Sequence, residues 1–247
     1  MEETDWHSDF AALAWQVECG VDEAIGEAPL NRYELPAATE KKALAVAAPA
    51  TSTGDPVSEA EAAAAGAQSL EELAAVQAAF DHIEIKKGAR NFVFSDGVPG
   101  APVMIIGEAP GRDEDREGRP FVGRAGQLLD KMLAAIGMSR QADIYITNIL
   151  PWRPPQNRDP KSGEVAMMMP FLVRHIALAK PQLLIAMGNH SCQALLQKKG
   201  ITRLRGQWHE ALGLPVLPML HPAYLLRQPH AKRQAWEDLL ALKARLK

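Results

Sequence analysis

From Pro102 onward, short apolar runs alternate with stretches of helical periodicity, and this alternation restricts the fold more than any other feature of the chain. "PVMIIG", "DIYIT" and "QLLIAMG" are short and continuously apolar, the pattern of strands buried on both faces. Between the first two, "GRAGQLLDKMLAAIG" places Leu128, Leu129, Met132, Leu133 and Ile136 on one helical face, and Gly137 stops it. A further helix is predicted through "EVAMMMPFLVRHIAL" and a short one through "HSCQALLQKK". "QWHEALGLPVLPMLHP" reads as a turn-linked pair whose second strand ends at His221. The closing helix, "AKRQAWEDLLALKARLK", is expected to bury Trp236, Leu239, Leu242 and Leu246. Elements in this order predict an α/β fold, with a parallel sheet covered on both faces. Such sheets bind ligands outside the carboxyl ends of their strands. Glu108, Asn148 and His221 each stand at one of those ends.

Upstream the composition changes. "SLEELAAVQAAF" predicts a helix with Ser69 as N-cap and Glu72 completing a capping box. Residues 36–66 are biased to Ala, Pro, Ser, Thr and Glu and lack large apolar side chains, so they are expected to form a flexible linker. Residues 1–35 hold one amphipathic segment and are expected to be an acidic helical arm; a catalytic domain would then span 67–247. Residues 1–80 carry 15 acidic side chains against Arg32, Lys41 and Lys42, a net of −12, while residues 81–247 carry a net of +9. A basic body suits a polyanion, and an acidic arm would compete with it for the same surface; solvated faces of an ordinary enzyme would look the same. No apolar run approaches the roughly 18 residues of a membrane span, and the acidic start is unlike a signal peptide. Cys19 and Cys192 lie far apart with no C-x-x-C pair, which excludes a thiolate-rich metal site built from one chain and suits a reducing, cytoplasmic compartment.

The loops at the strand ends carry the chemistry. "GEAPG" lacks the lysine of a phosphate loop and is by itself a glycine-rich turn. Glu108 and Glu114 are candidates to orient water or to stabilise positive charge on a sugar. Asp113, Asp115 and Glu117 read as solvated partners of Arg112, Arg116 and Arg119. Phe121, set in a polar loop, is either core or a stacking platform. Asn148 offers the donor and acceptor that a base edge needs, or caps its own turn. His221 is a structural histidine or a donor to a developing oxyanion. Arg153, Arg158, Arg203 and Arg205 are phosphate contacts or solubilising charge.

Five segments, "GEAPGRDEDREGRPFVGRAGQLL", "YITNILPWRPPQNRDP", "LLIAMGNHSCQALL", "ITRLRGQW" and "MLHPAYLLRQP", together resemble the family 4 uracil-DNA glycosylases over about residues 85–245. The resemblance implies a three-layer α/β/α sandwich around a four-stranded parallel sheet. It also implies hydrolysis of the N-glycosidic bond of uracil in DNA, leaving an abasic site. Glu108 and its loop, with Ala109 as a substrate contact, would face the sugar and the attacking water. Glu114 would line the pocket near C5 of the base, Phe121 would stack on uracil, Asn148 would read N3–H and O4, and His221 would bond O2. Base flipping calls for a wedge, which Leu225, Leu226 and Arg227 would supply, with Arg153, Arg158 and Arg205 on phosphates. The family's [4Fe–4S] cluster is expected to be absent, because its cysteines fall at Trp152, near Met167 and around "IEIKKGARNF". The partner is uracil-bearing DNA, without membrane, and the protein is expected to act as a monomer. A catalytically silent nucleic-acid-binding module and a small-molecule nucleotide hydrolase are the competing readings.

Overall fold

The computed structural model describes residues 55–246 and, in the N-terminal segment, residues 10–11 and 14–16, which are helical. The remainder of the expected arm and most of the expected linker, with Cys19, lie outside the described residues. Six strands form one sheet: β1 (Ser95–Gly97), β2 (Val103–Gly107), β3 (Ile144–Asn148), β4 (Leu183–Met187), β5 (His209–Ala211) and β6 (Leu214–Met219), in the order β1-β3-β2-β4-β6-β5. The four inner strands are parallel, as the alternating pattern requires. β1 and β5 are short antiparallel edges, so the expected four-stranded sheet is the parallel centre of a six-stranded one.

Helices cover both faces. α1 (Pro56–Gly66), α2 (Leu70–Ala79), α5 (Ser162–Ala179) and α6 (Asn189–Leu196) enclose Met104, Ile106, Tyr145, Leu184 and Ala186 on one face. α4 (Arg124–Ala135) and α9 (Lys232–Arg245) enclose Val103, Ile105, Ile144, Ile146 and Ile185 on the other. Successive residues of β2 thus serve opposite cores, the period of two that a strand dictates. Short α3 (Arg112–Glu117), α7 (Ile201–Leu204) and α8 (Pro222–Arg227) lie in the loops at one end of the sheet.

Three expectations need correction. Residues 56–66, assigned to the linker, form α1, capped by Asp55 with Pro56 in its first turn. Ala60, Ala64 and Ala67 are buried at i, i+4 and i+7, and Arg174 of α5 donates to the Ala67 carbonyl at 2.8 and 2.6 Å. Small methyls let α1 approach α5 closely, a packing that large apolar residues would prevent. Trp236 is 42% exposed, because α9 buries Ala235, Asp238, Leu239 and Leu242, a stripe displaced by one residue. β6 ends at Met219, so His221 is the N-cap of α8 rather than a strand terminus. The Ser69 cap of α2 accepts from Glu72 N at 3.1 Å, while the Glu72 carboxylate reaches back to Gln68 N at 2.7 Å.

Candidate active site

The chain steps from β2 to β3 on one side and then crosses back to β4 on the other, so strand order reverses beside β2 and opens a crevice at its carboxyl end. A cavity of about 540 Å³ fills that crevice. Glu108 follows β2, Asn148 ends β3, Gly188 and His190 follow β4, and His221 follows β6; all line it, with Ala109, Glu114, Phe121, Arg158 and Arg227.

Phe121 is held in an unusual conformation. Its backbone is left-handed, at φ 53°, which costs a bulky residue ~1–3 kcal/mol. Arg140 offsets this, donating to the carbonyls of Pro120 and Phe121 at 2.8 and 2.7 Å. The guanidinium is itself fixed by Asp96 and Asp130, and charge-assisted bonds of this kind are worth ~1.5–3 kcal/mol each. On the other side of the loop, Glu114 Oε1 accepts from Val122 N and Gly123 N at 3.0 and 2.9 Å. Gly126 lies flat beneath, where a Cβ would fall 1.7 Å from the Phe121 carbonyl oxygen. The ring, 6% exposed, stands 5.4 Å from that of His221.

Gly107 and Asn148 are register partners in β2 and β3, and Gly107 is the floor under the Asn148 carboxamide. Asn148 is 6% exposed, and its Oδ1 is buried without a hydrogen-bond partner among the described residues. An unpaired buried acceptor costs about 1–3 kcal/mol, so a cavity wall that carries one is suited to a ligand N–H. His221 Nδ1 accepts from Ala223 N at 3.1 Å, which leaves the ring proton on Nε2. Burial, with Arg227 nearby, pushes the His221 pKa down to about 4, so at neutral pH it is an uncharged donor. Burial raises the Glu108 pKa, opposed by His190 and reinforced by Asp159.

Among the residues singled out by sequence, the structure gathers Glu108, Ala109, Glu114, Phe121, Asn148, Arg158, His221 and Arg227 around one cavity. Several are engaged differently from expectation. One Glu114 oxygen is spent on loop amides, a positioning task. Arg158 forms a two-pronged pair with Glu164, at 2.9 and 2.5 Å, and Arg153 donates to Asn157 at 2.7 Å. Arg205 is not a free phosphate contact: it is paired with fully buried Asp238 at 2.9 and 2.5 Å, which fastens the segment before β5 to α9. Leu225 cannot be a wedge, since it is fully buried with Leu220, Ala231 and Ala235; Leu226, the next residue on α8, is exposed. Asp115 is buried rather than solvated and accepts from Arg90 N and Asn91 N. Sequence reasoning missed Arg140 and His190. A strand-end signal was present for His190, just beyond "IAMG"; none was present for Arg140, whose partners are distant in the chain.

The residues do not fit an iron–sulfur cluster. Such a cluster takes about four thiolates, and the chain has two cysteines. Cys192 is fully buried on α6, with its pKa pushed up to about 12 by burial, a neutral core thiol. Trp152 is buried against Phe92, ring centroids 5.3 Å apart, with the Lys86 ammonium 6.0 Å from its ring. Met168, not Met167, is the fully enclosed methionine of α5, and its sulfur accepts from Gln77 at 3.6 Å.

Fold and cavity together define an α/β protein whose ligand pocket, at the switch point of a parallel sheet, pairs an aromatic face with an amide and an uncharged imidazole. The uracil DNA glycosylase superfamily profile matches residues 94–240, and the chain belongs to that superfamily. It is 39% identical over 157 residues to a type-4 uracil-DNA glycosylase of Sulfurisphaera tokodaii, covering 60% of this chain and 71% of that protein. Type-4 uracil-DNA glycosylases of Archaeoglobus fulgidus and Saccharolobus solfataricus are each 38% identical, over 164 and 170 residues. These alignments cover 63% and 65% of this chain, and 82% and 78% of the relatives.

Proposed function

We propose that this chain is a DNA repair glycosylase that hydrolyses the N-glycosidic bond of uracil in DNA, with the base flipped into the cavity and an abasic site left behind. The observation that carries the reading is the buried Oδ1 of Asn148, without a partner among the described residues, beside the Phe121 ring. Uracil N3–H would donate to that oxygen and O4 would accept from the amide nitrogen, while the ring stacks on Phe121. Cleavage leaves negative charge on the departing uracil, and Nε2–H of His221 would donate to O2 as it develops. The His221 tautomer is the right one for this, fixed by Ala223 N. Positive charge grows on the deoxyribose, where the Glu108 carboxylate is the available anion and the group to orient water. Arg227 lines the cavity and Leu226, the exposed residue before it, is its neighbour on α8; together they would fill the gap left in the duplex. One chain supplies every group named, which supports action as a monomer.

We also propose that the protein folds and works without iron, Trp152 packing where the resemblance places one thiolate and Met168 packing next to Met167, near which it places another. Iron and acid-labile sulfide in stoichiometric amount in anaerobically purified protein would overturn that. For the activity itself, the test is release of free uracil from a uracil-bearing oligonucleotide, read by alkaline cleavage at the abasic site. His221→Ala should slow it roughly 10²–10³-fold, the scale of one lost oxyanion donor. No cleavage of single or double strands by the wild type refutes the glycosylase reading and leaves a silent binding module of the same fold. Wild-type turnover in the variant removes His221 from the chemistry.

A further inference from the structure

His190 stands in the first turn of α6, with its Nε2 3.7 Å from Glu108 Oε2 and 3.6 Å from Asp159 Oδ1. Both separations are too long for a hydrogen bond. One nitrogen thus faces two carboxylate oxygens and bonds to neither. The three donor atoms lie within 4.8 Å of one another. Around a tetrahedral zinc-type ion, N and O ligands at 2.0–2.2 Å are separated by about 3.3–3.5 Å. The two spacings to His190 approach that, and the third ligand, Asp159, is an exposed side chain. Arg158 pairs its guanidinium with Glu164 and meets Asp159 at the backbone carbonyl, 3.0 Å away, rather than at the carboxylate. Two carboxylates and one imidazole balance a divalent charge and leave a coordination position open toward the cavity.

We propose that Glu108, Asp159 and His190 form a binding site for one first-row divalent cation of zinc type, and that its occupancy inhibits the enzyme by withdrawing the Glu108 carboxylate from the sugar. The cation is an inhibitor rather than a cofactor. The inhibitory half of the proposal rests on the glycosylase reading; the binding half does not. Imidazole with carboxylate suits zinc, cobalt or copper better than magnesium or calcium, which prefer oxygen alone.

The test uses the full chain, freed of metal by chelation and dialysis. Titration with Zn²⁺ alone, followed by calorimetry, should show one site per chain, and Co²⁺ alone should give the visible absorption of a low-coordinate ion. His190→Gln should weaken both by about tenfold or more, as loss of one ligand group demands. Magnesium at the same concentration should give no signal. In single-turnover uracil release, Zn²⁺ should slow the wild type, and Asp159→Asn, whose uracil release without metal should be near normal, should need a higher concentration for the same effect. Absence of zinc binding up to millimolar concentration, or equal binding by wild type and His190→Gln, overturns the site. Binding with unchanged uracil release overturns the inhibition alone. A protein that binds zinc through His190 yet releases no uracil at all would uphold the site while refuting the glycosylase reading.

Discussion

Gly107→Ala tests the base pocket through a residue that touches no substrate. A Cβ at this position would lie 2.2 Å from Asn148 Oδ1, and 2.7 and 2.8 Å from Phe121 Cε2 and Cζ. Ordinary contacts lie at about 3.5–4.0 Å, so the carboxamide must retreat by about 1.3 Å and the ring by about 0.8 Å. β2 cannot yield instead, because it is paired on both sides by β3 and β4 and buried on both faces. Overpacking of this kind costs ~1–3 kcal/mol of stability, which leaves the protein folded. Misplacement by about 1 Å costs about 10²-fold in rate, and here the two groups that would hold uracil move together. The assay is single-turnover uracil release beside urea unfolding of the same preparation. Gly163→Ala is the control, since nothing lies within 4 Å of its added methyl. A double-mutant cycle with Asn148→Ala sharpens the inference: if displaced Asn148 is the cause, Gly107→Ala should add little in that background. A folded Gly107→Ala protein with wild-type turnover would refute the argument that this pocket holds the base.

Asn148→Asp should weaken uracil excision and admit cytosine, because the reversed polarity at N3 and N4 of cytosine leaves unpaired groups worth ~1–3 kcal/mol each against the amide; rates on the two bases decide it, and unchanged preference makes Asn148 a turn residue. Acid should destabilise the fold. His221 and His175 titrate at about 4 and about 3 when folded, against 6.5 unfolded, so the unfolded chain takes up protons first and stability falls as pH drops below about 6.5. The slope should approach 1.4 kcal/mol per pH unit for each histidine, and His175→Phe should remove one share; flat urea-unfolding stability from pH 7 to 5 contradicts this. A chain starting at Thr53 should fold and excise uracil, and should bind DNA more tightly at low salt once the acidic residues are gone. A chain starting at Ala67 loses the two methyls of Ala60 and Ala64 and uncovers that of Ala67, ~2 kcal/mol in all, and should melt about 4–8 °C lower. Equal melting temperatures for the two would show that α1 contributes nothing.

The inner sheet was legible because its parallel strands are short, mainly apolar runs, and two of them stop at polar residues that line the cavity, Glu108 and Asn148. What escaped notice depends on distance or phase. Arg140 meets Asp96 across 44 residues, and neither is distinctive in its local sequence. Leu225 and Leu226 look alike in the sequence, and only the rotation of α8 decides which is core. α1 was misread because alanines bury little area apiece, so a composition too poor for a core of its own still packs well against α5. Trp236 follows the same logic in reverse, a large apolar residue placed one position off the buried stripe of α9.

The grip of Arg140 and Glu114 on the Phe121 loop has a kinetic meaning. The platform is shaped by the protein alone, with its strained backbone already compensated before any nucleotide arrives. On the proposed reading, such a pocket would wait for a base rather than pull one out of the helix. Encounter would then be governed by how often a base pair opens of its own accord, and lesion search would be a property of the DNA as much as of the enzyme. A uracil opposite guanine, poorly paired, would announce itself sooner than one opposite adenine.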